Sequence, residues 1–485
     1  MKKPSMQLNI ALSTLYRVLL MITPLITAPY TARVLGVDGV GINSFTTSVQ
    51  SYFTLLAGLG TYTYGSREIA RNRDNREKRS QLFWEIELLT LITTMVCLLG
   101  WVAVILLGGE YRTYYLILAV SLAATFFEIS WFFAGMERFD HTVVINTGLK
   151  ILTIVAVFLF VKTPAHLPRF MLISALGTLL GNFSMWLFLP QYIQKPDFKN
   201  LRIWRHFKET LIYFIPSVAT SVYTVLDKTL INLITQSNAQ NGYYEQATKI
   251  INMAKSVGFV ALNSVMGSRM SYLHGQNNQE EIFKRTGQSV DYISFMGAGM
   301  AFGLIAVAPR FVMAFFGPDY GAVVPLLQIF SPIILVIGIS NCLDSHYYTP
   351  AGQRKRGTIY LVCGAAVNLI LNCILIPTYG SMGAATASVI AELVISFLYI
   401  RGSKGFITFG YLWQFLWRKL IAAVVMVLAI RLMDDWFVRP IIAILCQVPV
   451  GVAIYCLVLL ALRDNAVVII TQKVWAVIKT KILKK

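Results

Sequence analysis

The sequence predicts an all-α polytopic membrane protein with about fourteen transmembrane helices: two six-helix lobes related by a parallel pseudo-repeat, plus two C-terminal helices. Three observations lead there: composition, the recurrence of long apolar runs, and the placement of charge. Of 485 residues, 56% are hydrophobic and only 13% charged, with a mean hydropathy of +0.63. Soluble domains carry about a quarter charged residues. A hydrocarbon core about 30 Å thick needs roughly 20 mainly apolar residues per helical crossing, and runs of that length recur almost from end to end.

In chain order, the runs at 9–30, 41–64, 82–107, 114–134, 143–161 and 168–190 supply the first lobe. Those at 209–234, 243–268, 289–307, 321–345, 358–377 and 381–400 supply the second, and 415–433 and 440–462 are additions. The first run could imitate a signal peptide, but Arg17 interrupts it and it is long, so it reads as a span. The formal charge of +19 would suggest nucleic acid in a soluble protein. Here, with the N-terminus inside, about 30 of the 42 Lys and Arg fall on the cytoplasmic side and about 6 outside. "SREIARNRDNREKRS" (66–80), "KPDFKNLRIWRHFK" (195–208), "QRKRG" (353–357) and the tail "KTKILKK" lie inside, whereas "TQSNAQNG" (235–242), outside, has no basic residue. The charge is therefore topological, both termini are expected to be cytoplasmic, and no nucleic-acid partner is expected. The six cysteines fall within runs, as small core residues do, and form no disulfide framework.

The inter-span segments are short, so function must reside among the helices. The lobes are expected at 1–200 and 201–400, with 401–485 holding the two added helices and a basic tail. An internal echo supports the division. "MITPLITAPYTARVLGVDGVGINSFTTSVQSYF" (21–53) and "YFIPSVATSVYTVLDKTLINLITQSNAQNGYYEQATKIINMAK" (213–255) each contain a proline-bearing helix, a short outside loop, a glycine opening the next span (Gly41, Gly242) and a polar-striped helix.

Polar residues at three- and four-residue steps mark a helix face turned to protein or water. The first span carries Asn9, Ser13, Arg17, Pro24 and Thr27, and the second Asn43, Thr47, Gln50 and Thr54. The seventh carries Ser217, Ser221, Thr224 and Lys228 with Asp227 on the edge of the stripe, and the eighth Glu245, Thr248, Lys249, Asn252 and Lys255. A single Ser or Thr needs no function, since it bonds to neighbouring carbonyls or helices. Charge is different: a Lys, Arg or Asp near a helix centre costs roughly 2.5–3.5 kcal/mol on the insertion scale. Arg17, Lys228, Lys249 and Lys255, with Asn43, Gln50, Thr224 and Asn252, are therefore candidate cavity residues, with structural ion pairing the alternative. Asp227, Glu128 and Glu392 are the carboxylates expected nearest span interiors, each a candidate for ion coupling or for a structural pair. Asp227 and Lys228 point about 100° apart on a helix, so their adjacency in sequence does not make them a pair. Pro24, Pro29 and Pro216 can kink their helices, as a gate or as static bends.

No G-x-x-x-x-G-K-[ST] run occurs. The five histidines are scattered without H-E-x-x-H, so neither nucleotide hydrolysis, a metal, a cofactor nor enzymatic catalysis is expected.

"YTARVLGVDGVGINSFTTSVQSYFTLLAGLGTYTYGSREIA" (30–70), "EISWFFAGMERFDHTVVINTGLKI" (128–151), "LDKTLINLITQSNAQNGYYEQATKI" (226–250) and "LIPTYGSMGAATASVIAE" (375–392) resemble, in order, blocks of the Wzx-type polysaccharide flippases of the multidrug/oligosaccharidyl-lipid/polysaccharide exporter superfamily. The resemblance implies the fold of multidrug-and-toxin-extrusion transporters. It implies transfer of an undecaprenyl-pyrophosphate-linked oligosaccharide repeat unit between leaflets of the bacterial cytoplasmic membrane by alternating access, for surface polysaccharide. The expected partners are that lipid-linked oligosaccharide and membrane lipid, with a proton or sodium ion as a candidate at the carboxylates named above and a polysaccharide polymerase complex as a candidate partner. Arg17 is the position that best matches the basic cavity residues of the related peptidoglycan-precursor flippases. A cation-coupled drug or solute antiporter of the same fold is the alternative; its lumen would be dominated by acidic residues.

Overall fold

A computed structural model describes residues 6–195, 199–276 and 278–468; the side chains of 6–21 and of scattered positions within 139–144, 216–224 and 257–268 lie outside the described set. The described residues form α-helices joined by short turns and contain no strand. Among the described residues, six helical stretches are long and apolar enough to cross a membrane. Their outward faces carry large exposed apolar side chains such as Leu99, Leu107 and Leu432, as expected where the solvent is hydrocarbon. The chain divides into two compact units, Met1–Gly242 and Tyr243–Lys485.

The first unit opens with α1 (Met6–Gly58), in which two expected spans meet at Gly36. That residue has φ 69° and ψ 177°, a conformation that costs a side-chain-bearing residue dearly. The second expected span then ends sooner than its apolar run: Leu59 and Gly60 turn with positive φ, and α2 (Thr61–Arg71) takes up the first part of the basic segment expected to be a loop. α3 (Arg76–Leu107) starts from an Asn75 cap whose side chain accepts the Lys78 amide.

The run expected as one span at 114–134 is broken. α4 (Arg112–Ala123) ends, residues 124–129 turn, and α5 (Ser130–Gly135) starts afresh. The break persists because α7 (Leu167–Trp186) serves the carbonyls it frees: Asn182 Nδ2 donates to the Ala124 carbonyl at 2.8 Å and Trp186 Nε1 to that of Phe127 at 3.1 Å. α6 (Phe139–Phe160) packs on α7. α8 (Arg205–Thr235) lies along α1, and α9 (Asn238–Gly275) starts within the last residues of this unit.

The two repeat-related glycines meet here. A Cβ on Gly41 would overlap the Asn238 backbone, and one on Gly242 would overlap the Val37 carbonyl. Each lets its own helix start press against the other's backbone, which brings the α8–α9 turn onto the kink of α1.

In the second unit, α10 (Gln279–Phe315) packs against α12 (Pro332–Leu343), α14 (Phe409–Leu432) and α15 (Pro440–Ala461). α11 (Val323–Phe330) leads into α12, and α13 (Arg354–Gly402) again joins two expected spans at a glycine, Gly380, with φ 55°. The two added helices are fastened by one buried cation. Lys419 Nζ, with no exposure, reaches Asp291 of α10 at 2.6 Å, Asp464 beyond α15 at 2.9 Å and the Phe415 carbonyl at 2.9 Å. Phe295, Met300, Val307, Met426, Val452 and Tyr455 line an apolar groove of about 450 Å³ beside it.

Gly41→Ala and Gly242→Ala should each destabilise the protein by about 1–3 kcal/mol, the usual cost of overpacking. Gly148→Ala, which meets no atom within 4 Å, should be neutral. Thermal unfolding of the detergent-solubilised protein followed by size-exclusion chromatography measures both.

Candidate functional site

The first unit holds its polar groups in three places. Along the seam between α1 and α8, Thr229 bonds the Ser48 hydroxyl at 2.9 Å and the Tyr52 hydroxyl at 3.1 Å. Asn241 approaches Ser44 at 3.4 Å and donates to the Lys228 carbonyl at 2.8 Å. Asp227 is buried, and its charge acts on Tyr52 across the seam, whereas Lys228 is half-buried. The seam therefore uses Ser44 and Ser48, one position round the helix from Asn43 and Thr47, together with Tyr52, which lies between Gln50 and Thr54.

That stripe leads elsewhere. Asn43 and Gln50 are half-buried; Thr47 bonds the Asn43 carbonyl at 2.5 Å, and Gln50 Nε2 donates to Thr54 Oγ1 at 2.7 Å. Thr54 in turn lines a polar cavity of about 450 Å³, with Thr61, Thr90, Ser121, Thr125, Glu128 and Asn182 among its walls. A second cavity of about 250 Å³, lined by Asn146, Lys150, Thr153 and Ser174, shares Thr178 and Asn182 with the first. Glu128 sits at the break after α4, accepting the Ser130 amide at 3.2 Å. The walls thus offer hydroxyls, amides, one carboxylate and one ammonium, a set suited to sugar hydroxyls and to a charged group.

The third place is the junction of α3 with the start of α8. The Glu85 side chain is fully buried and is met by the Arg202 amide at 2.8 Å, Arg205 Nε at 2.9 Å, His206 Nε2 at 2.7 Å and Gln81 Nε2 at 3.0 Å. Tyr64 closes the chain by bonding His206 Nδ1 at 2.7 Å. With Nε2 donating to Glu85, Nδ1 accepts from the tyrosine, so a neutral imidazole satisfies both partners.

In the second unit, Lys249 pairs with Glu245 one turn back at 3.3 Å, the structural alternative named above for such a cation. Lys255 is half-buried with the charge of Glu392 acting on it, and Glu392 itself is buried. Asn252 is exposed, its carbonyl accepting the Ser256 hydroxyl at 2.8 Å. The side chains of Arg17 and Thr224 lie outside the described residues.

Sequence reasoning missed Lys150 and Glu87. Lys150 stands mid-way along α6 with no ion pair among the described residues, and the charge-in-span argument applied to the other lysines would have found it. Glu87 lay near the expected start of a span, where a carboxylate draws no attention. Removing the Glu85 carboxylate should be costly: Glu85→Ala leaves the buried His206 without its acceptor and the half-exposed Arg205 unpaired, at a cost of about 1–3 kcal/mol, while Glu85→Gln keeps part of the network. Melting temperatures of the two variants, ranked below wild type in that order, check the assignment.

The geometry describes a multi-pass bundle of membrane helices with polar, charge-bearing cavities inside it, the architecture of a membrane transporter. The family described as polysaccharide biosynthesis protein matches residues 8–271, more than half of the chain, and the chain belongs to that family. A protein of Shigella dysenteriae named as an O-antigen transporter is 23% identical over 385 residues, covering 79% of this chain and 96% of the relative. Among solved structures, an inward closed conformation of the lipid II flippase MurJ superposes with a TM-score of 0.74 at 15% identity, covering 94% of this chain and 99% of that one. An inward-facing multidrug resistance MATE family transporter gives 0.60 at 15% identity, covering 81% and 98%. The fold is therefore the one these exporters share, as the sequence resemblance implied.

Proposed function

We propose that the protein is a flippase that carries an undecaprenyl-pyrophosphate-linked oligosaccharide repeat unit from the inner to the outer leaflet of the bacterial cytoplasmic membrane, for surface polysaccharide. The observation that carries the reading is the presence of lysines among membrane helices in polar surroundings: Lys150 on a cavity wall, with Lys228 and Lys255 half-buried. A pyrophosphate is multiply anionic, and bare passage through hydrocarbon would cost far more than a path offering fixed cations. Hydroxyl and amide walls suit the sugars, and the apolar groove beside α10, α14 and α15 offers a hydrocarbon chain a place. Membership of a polysaccharide biosynthesis family and the O-antigen transporter name borne by a relative support the same class of cargo.

In this reading the lobes that alternate access are 1–200 and 201–400, both termini are cytoplasmic, and 401–485 is an addition. The basic inner loops would face the cytoplasmic enzymes that make the cargo and a polymerase complex would receive it. An antiporter of organic cations is the second reading, favoured by the cavity carboxylate Glu128 and the likeness to multidrug transporters.

Deleting the gene should cause the lipid-linked repeat to accumulate on the cytoplasmic face, seen by protection from a membrane-impermeant glycosidase; normal surface polysaccharide without accumulation would sink the proposal. Restoring the wild-type gene or Lys150→Arg should recover export. Lys150→Gln should restore about a tenth, the equivalent of one ~1.4 kcal/mol contact.

A further inference from the structure

α3 carries two buried carboxylates on opposite sides, and they are treated in opposite ways. Glu85 meets four donor groups on neighbouring residues. Glu87 is 1% exposed, and neither of its carboxylate oxygens has a hydrogen-bond partner. Glu128, from the broken segment after α4, is the charged group that acts on it. Neither Glu87 nor Glu128 has a basic partner among the described residues. Thr90 and Thr94 continue the Glu87 face of α3 at three- and four-residue steps: Thr90 lines the polar cavity, and the buried Thr94 hydroxyl also has no partner.

An ionised carboxylate so placed would have neither water, donor nor cation to replace its hydration, at a cost of several kcal/mol. Two carboxylates within each other's field cannot both be ionised cheaply, and the inexpensive state of such a pair holds one proton between them. Glu128 lines the cavity and can exchange with water there; Glu87 is buried and does not line it.

We propose that Glu87 and Glu128 form a proton-binding pair in the first unit, with Glu87 the buried holder and Glu128 the group that exchanges the proton with the cavity. On loading, an O–H bond forms on Glu128 as cavity hydronium gives up its proton and becomes water, and the proton then passes to a Glu87 oxygen. Release reverses both steps. The charged and titratable groups near the pair are few among the described residues, and Lys150 of α6 lines the adjoining cavity that shares Thr178 and Asn182 with that of Glu128. Tyr62 of α2 faces Glu128. α8 presents Arg205 and His206 to Glu85 on the other side of α3, Tyr52 of α1 faces Asp227, and the titratable groups of α4, namely Arg112, Tyr114 and Tyr115, sit at its far end. What the proton would drive rests on the flippase reading; its binding does not.

Infrared difference spectroscopy on the purified full-length protein in lipid nanodiscs tests the pair without any cargo. Wild type at neutral pH should show the carbonyl stretch of a protonated carboxyl, shifted in heavy water. Glu87→Gln should remove that band, and Glu128→Gln should keep it but move its titration to lower pH, because the like charge is gone. A wild-type spectrum without the band, a band that survives Glu87→Gln, or one abolished when choline chloride is replaced by sodium chloride overturns the proposal. Should Glu87→Gln fail to fold, the Glu128→Gln titration decides alone: an unmoved midpoint overturns it. A failed gene-deletion phenotype would leave this spectrum untouched, so the two proposals fail separately.

Discussion

A helix interrupted inside hydrocarbon must find new partners for the carbonyls it frees, since no water is there to take them. The turn between α4 and α5 meets that demand with two side chains of α7, Asn182 and Trp186. Much of the first unit follows from this. Because the helix stops at Ala123, space opens between α3, α4 and α7, and hydroxyl groups of those helices line it. Because the chain restarts at Ser130, Glu128 is left at the rim of that space and not on a lipid-facing surface. Asn182 serves both purposes, holding the break and lining the two cavities that share it.

α3 shows how one helix can separate two electrostatic tasks. Residues 85 and 87 are about 200° apart on a helix, so one faces α8 and the other the broken segment. On the α8 side a carboxylate is surrounded by donors and behaves as a fixed joint, costly to undo. On the opposite side a carboxylate of the same type is left without donors. The contrast lies in the surroundings, not in the residue type.

The spans were legible because twenty apolar residues in a row have few other uses, and the polar stripes were legible because a 3.6-residue period survives in any helix. The breaks were not. Residues 124–129 read "ATFFEI", mostly apolar like a continuous helix, and what holds the break is a pair of side chains about sixty residues later. The face of α1 that meets α8 was displaced by one position, since Ser44 and Asn43 are equally good stripe residues until the partner helix is seen. The Glu245–Lys249 pair could have been read from its four-residue spacing alone. The Arg205 and His206 contacts of Glu85 could not, because 120 and 121 residues separate the partners.

Lys419 has a consequence for biosynthesis. Its partner Asp291 lies 128 residues earlier in the chain, so a ribosome adding 5–20 residues per second leaves α10 waiting on the order of ten seconds before its cation is made. During that interval Asp291 must stay near the aqueous interface or in the care of the insertion machinery. A nascent chain stopped before α14 would carry an unmatched acid in its second half, a mark by which unfinished molecules differ from finished ones.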